Sequence, residues 1–230
     1  MNVMGRIGLA AVSCIALLQA PVTQAQTAPG VENQAAYVAR CKRETIAAWP
    51  GARAQADSIC QSNWQMIVAA GPLADALLAI APTSGTPFDH ATAKTRATGV
   101  RWAPRAAKGQ SAAGRVGDVA VVLAATPPRA EFTWFKNGEP IPFNLEQALR
   151  VRGVPPAMIG CVKTGAGEGS SVYRVAPPGK APFVLTIARR EAAVASQSSD
   201  FGVTADFSGR PVTLAALRRD GNDWAARCPD

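Results

Sequence analysis

His90 is the only histidine in 230 residues, so any serine triad or imidazole-based proton transfer must run through it. Its setting, Phe88-Asp89-His90-Ala91, is that of a loop, where a histidine is solvated rather than poised as a base. Neither Gly-x-Ser-x-Gly nor Ser-x-x-Lys occurs. Glu131, Glu139, Glu146, Glu168, Asp200 and Asp206 are acids from which a glycosidase-type pair could be drawn, with carboxyls about 5 to 9.5 Å apart. Their spacing singles out no pair. The run Gly165-Ala166-Gly167-Glu168-Gly169-Ser170-Ser171 resembles a phosphate cradle only in its glycines. It lacks the Gly-Lys-Ser/Thr ending and leads toward a strand, so it reads as a hairpin loop.

The cysteines speak to structure. Of five cysteines, Cys14 falls in the export signal read below; Cys41, Cys60, Cys161 and Cys228 remain as an even set, which in an oxidising compartment favours two disulfides over a metal site. Cys41 precedes Pro50 by nine residues and Cys60 follows Gly51 by nine. Val31, Ala35, Val38, Cys41, Thr45 and Trp49 form one apolar stripe at helical spacing; Ala56, Cys60, Trp64 and Ile67 form another. Two antiparallel helices joined at Trp49-Pro50-Gly51 bring Cys41 level with Cys60. By elimination Cys161 then pairs with Cys228. Bridged thiols leave neither a cysteine nucleophile nor a thiolate zinc site, and no Asp-x-Asp-x-Asp calcium loop is present. No catalytic residue, metal or cofactor is assigned.

Charge is the most usable signal. The chain holds 24 basic and 16 acidic side chains, a net charge of +8. Lys94, Arg96, Arg101, Arg105, Lys108 and Arg115 fall in one segment, opposed there only by Asp89 and accompanied by Trp102. Such a segment suits an anionic partner: a lipid phosphate, an anionic glycan or an acidic protein surface. Nucleic acid is a poor fit for an exported chain, despite an isoelectric point near 9.7.

Export is read from the first 25 residues. Arg6 is their only charge, an apolar run from Ile7 to Leu18 follows, and Thr23-Gln24-Ala25 offers small residues for cleavage. A second apolar stretch, Met66 to Ala81, is interrupted by Gly71-Pro72 and carries Asp75, so it reads as a buried helix pair and not a membrane span. The mature chain is then expected to hold no transmembrane segment. The excess of arginine over lysine and the abundance of alanine suggest a Gram-negative bacterium, hence a periplasmic or secreted protein.

The elements that must position these groups change character along the chain. Residues 26–82 follow a helical period, ended by Pro82; 83–117 is a basic Pro/Gly/Ala-rich linker or loop with a short strand at Val100 to Trp102. Residues 118–230 alternate with a period of two at Val119 to Leu123, Phe183 to Ile187 and Phe201 to Phe207, with further strands at Phe132 to Phe135, Ile159 to Lys163 and Ser171 to Val175. Short helices are predicted at Leu145 to Arg152, with a capping box at Asn144 and Gln147 and a stop at Gly153, and at Leu214 to Arg219. The phrases Gly138 to Phe143 and Gly209 to Leu214 precede them and hint at a duplicated unit.

The fold class is therefore α+β: an N-terminal disulfide-linked helical hairpin followed by a mainly antiparallel β-domain with two short helices. Trp134-Phe135-Lys136-Asn137-Gly138 resembles the third-strand signature of immunoglobulin-like domains, which implies a β-sandwich as the alternative for the C-terminal part. The functional expectation is a non-catalytic binding or envelope-accessory protein that meets its anionic partner through Lys94 to Arg115. A carboxylate-based envelope glycan hydrolase and a structural subunit of an envelope complex are the alternatives.

Overall fold

The computed structural model describes residues 31–137, 144–165, 168–190 and 198–228; the export signal and the phrase at 138–143 lie outside them. The Asn33 side chain accepts from the Ala36 amide and starts α1, Gln34–Ala48. A 3-10 turn, Pro50–Ala52, leads into α2, Ala56–Ile80. The two helices form the expected hairpin. Tyr37 packs on Trp64 with ring centroids 5.4 Å apart, and the Cys41–Cys60 disulfide joins the helices with Cα atoms 5.8 Å apart.

Two expectations for this region are corrected. The interruption at Gly71-Pro72 does not divide α2, which runs through Pro72 as one helix. Proline withholds only the N–H that would reach Val68 O, and Val68 is exposed, so water can satisfy that carbonyl. Nor do both ends of the first stripe lie inside: Val31 precedes α1 and Trp49 follows it, and each is exposed. α2 is long and apolar enough to cross a membrane; in this fold its Ile67, Leu73, Leu77 and Ile80 are buried in the core.

The segment 83–117 carries a short helix and two strands. Asp89 caps α3, His90–Arg96, by accepting from the Thr92 amide at 2.7 Å. β1, Arg101–Trp102, and β2, Ala112–Val116, then open a single antiparallel sheet. β3, Val119–Ala125, and β4, Pro128–Asn137, complete a first meander. After α4, Leu145–Val151, come β5, Ala157–Gly165, β6, Glu168–Val175, β7, Phe183–Arg190, β8, Ser198–Asp206, and α5, Leu214–Leu217, followed by a 3-10 turn, Arg218–Asp220, and a strap that runs to Cys228. The strand order is β1-β2-β3-β4-β8-β7-β6-β5, so two meanders meet at the β4–β8 pair.

The eight described strands lie in one sheet, which goes against the immunoglobulin-like alternative: among the described residues there is no second sheet for a sandwich. Trp134 packs instead into the core between sheet and helices. Alternation decides the faces. Val119, Val121 and Leu123 of β3, Phe132 and Trp134 of β4, Phe201 and Val203 of β8, and Leu185 and Ile187 of β7 point toward α1 to α4 and form one apolar core with them. The helical hairpin is thus packed on the sheet and not merely tethered to it.

Each meander is followed by a short helix, but the two helices behave differently. α4 buries Leu145, Ala148 and Leu149 in the helical layer. Leu214 and Leu217 of α5 pack on the opposite face, with Val162, Val172 and Trp224. Any duplication therefore stops at element order. The expected capping box of α4 does not form, because Asn144 takes a left-handed conformation and its side chain makes no cap bond. The expected stop holds: Gly153 has φ +75°, and the Val154 amide donates to Leu149 O at 3.0 Å.

Candidate functional site

The helices cover one face of the sheet, and α5 covers only one end of the other. Across β2, β3, β4, β8 and β7, a distance of about 20 Å at ordinary strand spacing, the second face carries no helix among the described residues. Its residues follow from register. One row reads Arg115, Ala120, Thr133, Gly202 and Ala188; the next reads Ala113, Val122, Glu131, Thr204 and Thr186. Solvated sheet faces ordinarily carry long charged side chains, whereas this one is paved with alanine, glycine, threonine and valine. Its charges on β4 and β8 are Arg129 and Glu131, paired to each other at 2.6 Å, and Asp206, the register partner of Arg129.

Arginines stand at both ends of that face. At the β1–β2 end Arg101 is the register partner of Arg115, while Trp102 opposes Gly114 and turns inward. The two guanidinium-bearing residues thus share the helix-free face. Arg115 donates to Asp118 O at 2.7 Å, and Arg101 has no ion-pair partner among the described residues. Like charges set directly across a strand pair repel, and an anion between them relieves that repulsion. Arg105 and Lys108 are exposed on the loop that joins β1 to β2.

The sequence placed Arg96 and Lys94 with these residues, and the structure separates them. Arg96 turns inward, donating to Thr83 Oγ1 at 3.0 Å and to Ile80 O at 3.3 Å, and so satisfies the C-terminus of α2. Lys180 does the same at Ala81 O; its burial, reinforced by the neighbouring Arg96, lowers its pKa. Lys94 is half-buried on α3, and its carbonyl accepts the Trp102 indole N–H at 3.1 Å. Trp102 is therefore a wedge that fixes β1 against α3 and not an exposed contact residue.

At the opposite end a cleft of about 410 Å³ opens between β6–β7 and the loop before α5. Arg174 and Arg210 line it, with Ile159, Val184 and Val212 as apolar lining. Asp206 is also there, its carboxylate accepting from the Ser208 amide at 2.7 Å. Sequence reasoning missed this site because Arg174 and Arg210 are thirty-six residues apart and belong to elements that only the β7–β8 pairing brings together.

Of the candidate acids, two are bound by arginines, and Asp206 stands diagonally across the β4–β8 pair from Glu131 on the same face. Glu131 is bound to Arg129 and Glu146 to Arg189, the latter at 3.0 Å. Of three clefts, one holds Asp206, one Glu168 and one Asp223, a single described carboxylate each. Glu139 and the side chain of Asp200 lie outside the described residues. His90 is the first residue of α3, half-buried beside its cap. Among the described residues no group of three or more histidine, cysteine or acidic side chains converges as a metal site. The second expected disulfide is present: Cys161 of β5 is joined to Cys228, with Cα atoms 5.4 Å apart. Compared with known proteins, the chain matches no protein family, no curated protein and no solved structure.

Proposed function

We propose that this chain is an exported, periplasmic or secreted, non-catalytic binding protein that docks an acidic protein partner on the helix-free face of its sheet. The observation that carries this reading is the cross-strand pair Arg101 and Arg115 at the edge of a broad face paved with small side chains. Small side chains let a partner approach the strands closely, and the arginine rims at both ends select a surface of opposite sign. The same rims oppose pairing with a second copy, since arginine would meet arginine across a symmetric interface. Export is supported by the apolar run at Ile7 to Leu18 and by two disulfides, which persist in oxidising compartments.

The test is capture of partners from an envelope extract by the oxidised protein, compared with Arg101→Glu/Arg115→Glu and with Thr204→Arg at the centre of the face. A protein held by the parent, released as salt rises and lost in both variants is the expected result. A partner retained by both variants, or none held by the parent, overturns the proposal.

A further inference from the structure

Trp49 is 68% exposed at the apex of the α1–α2 hairpin. The sequence pattern puts it on the buried stripe, yet the hairpin is clamped well below it, by the Cys41–Cys60 disulfide and the tilted Tyr37–Trp64 ring contact. Between Cys41 and Ala56 no residue is fully buried, and Ala47 to Gly51 are all exposed, so the apex of the hairpin stands in solvent as a small knob. The Trp49 indole N–H has no hydrogen-bond partner among the described residues. Around it the chain is short and apolar, Ala47-Ala48-Trp49-Pro50-Gly51-Ala52.

The charge around the knob is one-sided. Lys42 is neutralised by Asp57 at 2.8 Å and Glu44 by Arg40 at 3.1 Å. Arg43 and Arg53 remain, both exposed and without an ion-pair partner among the described residues. An apolar apex flanked by two free guanidiniums matches an anionic bilayer surface, where an indole sits at headgroup level and arginines meet lipid phosphates. It matches a protein poorly. A stable interface buries about 800 Å² on each partner, and one large side chain on a narrow hairpin end falls short of that.

We propose that the hairpin tip is a membrane-surface anchor, with Trp49 inserted shallowly into an anionic leaflet and Arg43 and Arg53 bound to its phosphates. The tip belongs to the helical layer, on the side away from the helix-free face. An anchored molecule would thus keep that face available to a partner, and the two readings are independent.

The test uses the full chain with both disulfides formed, vesicles containing phosphatidylglycerol, and vesicles of phosphatidylcholine alone. Co-sedimentation reads affinity, and brominated lipid reads insertion by quenching tryptophan emission. The protein is expected to bind the anionic vesicles, with quenching that disappears in Trp49→Phe. Trp49→Ala should weaken binding on the order of ten-fold, by the apolar area it removes. Arg43→Gln/Arg53→Gln should weaken it by about five-fold per arginine at low salt. Because Arg43, Trp49 and Arg53 are exposed, thermal unfolding of their variants should be unchanged, and Arg101→Glu/Arg115→Glu should bind vesicles as the parent does. Four results would overturn the anchor: no binding to anionic vesicles, undiminished binding of Trp49→Ala, loss of binding in Arg101→Glu/Arg115→Glu, or a self-association that Trp49→Ala abolishes while vesicle binding stays constant.

Discussion

The Arg152 guanidinium lies against Gly71 and is held there by Asp75, one turn further along α2. Its Nε and Nη2 reach the two Asp75 oxygens at 2.6 and 3.0 Å, and Nη1 donates to Ala148 O at 2.9 Å. This fork ties α4 to α2 and accounts for an acid inside the apolar second half of that helix. A Cβ on residue 71 would stand 2.9 Å from Nη2. Gly71→Ala should therefore be near neutral or destabilising in the parent, because the helix-propensity gain of about 1 kcal/mol is offset by displacing the fork. In an Arg152→Ala background the same change should stabilise by about 1 kcal/mol. Urea unfolding of the four proteins gives the coupling directly, and a coupling near zero would refute the relationship.

Gly114 is the hinge on which the basic edge depends. A side chain there would meet Arg101 O at 2.8 Å as well as Trp102 and Val100 at 2.9 Å. Backbone oxygen cannot move aside as a flexible side chain does, so Gly114→Ala should push β1 off β2 at a cost of about 1 to 3 kcal/mol. Hydrogen exchange reads this locally. The Ala103 amide, which donates to Ala113 O at 2.8 Å, should lose protection while the β4–β8 amides keep theirs. Uniform loss across the sheet would count against so local a role.

Period-two alternation at Val119 to Leu123 and Phe201 to Phe207 was legible because one face of those strands is buried and the other is not. The Cys41–Cys60 pairing was legible for a similar reason: equal spacing about Pro50-Gly51 permits one helical register. What escaped is instructive. α3 has seven residues, two turns in which no period can develop, and β2 reads Ala-Ala-Gly-Arg-Val, a strand recruited by its neighbours rather than by propensity. The basic segment looked like one site because its residues are close in sequence. Arg96 was drawn off to the end of α2, a tertiary demand with no local signature. Arg101 and Arg115 were joined by strand pairing, and Arg174 and Arg210 by β7–β8 contact across the sheet.

The two disulfides should differ in reactivity. Cys41 and Cys60 are both buried in the core, whereas Cys228 is exposed at the end of the strap that bonds to Cys161 through Ala225. Mild thiol reductant followed by alkylation and peptide mass mapping should label Cys161 and Cys228 first. Replacing Cys41 and Cys60 together by alanine should cost about 3 kcal/mol in the chain-entropy description. Earlier labelling of Cys41 or Cys60 would show that the hairpin opens more readily than its packing implies.

The chain has two tyrosines, and both are placed to ionise late. Burial raises the pKa of Tyr37 against the opposing pull of Arg40, and burial reinforced by Glu146 raises that of Tyr173. A phenol whose folded pKa exceeds its unfolded value, about 10, binds its proton more tightly in the folded state. Below pH 10 neither state ionises and the residue contributes no pH dependence. As pH climbs past about 10 the unfolded chain releases the proton first, so folding stability falls with rising pH until the folded phenols ionise as well. Tyrosinate absorbance should show both groups titrating above the value they take in urea, and Tyr173→Phe should flatten part of the alkaline loss of stability. Two phenols titrating alike in the folded and unfolded chain would place neither side chain in the core.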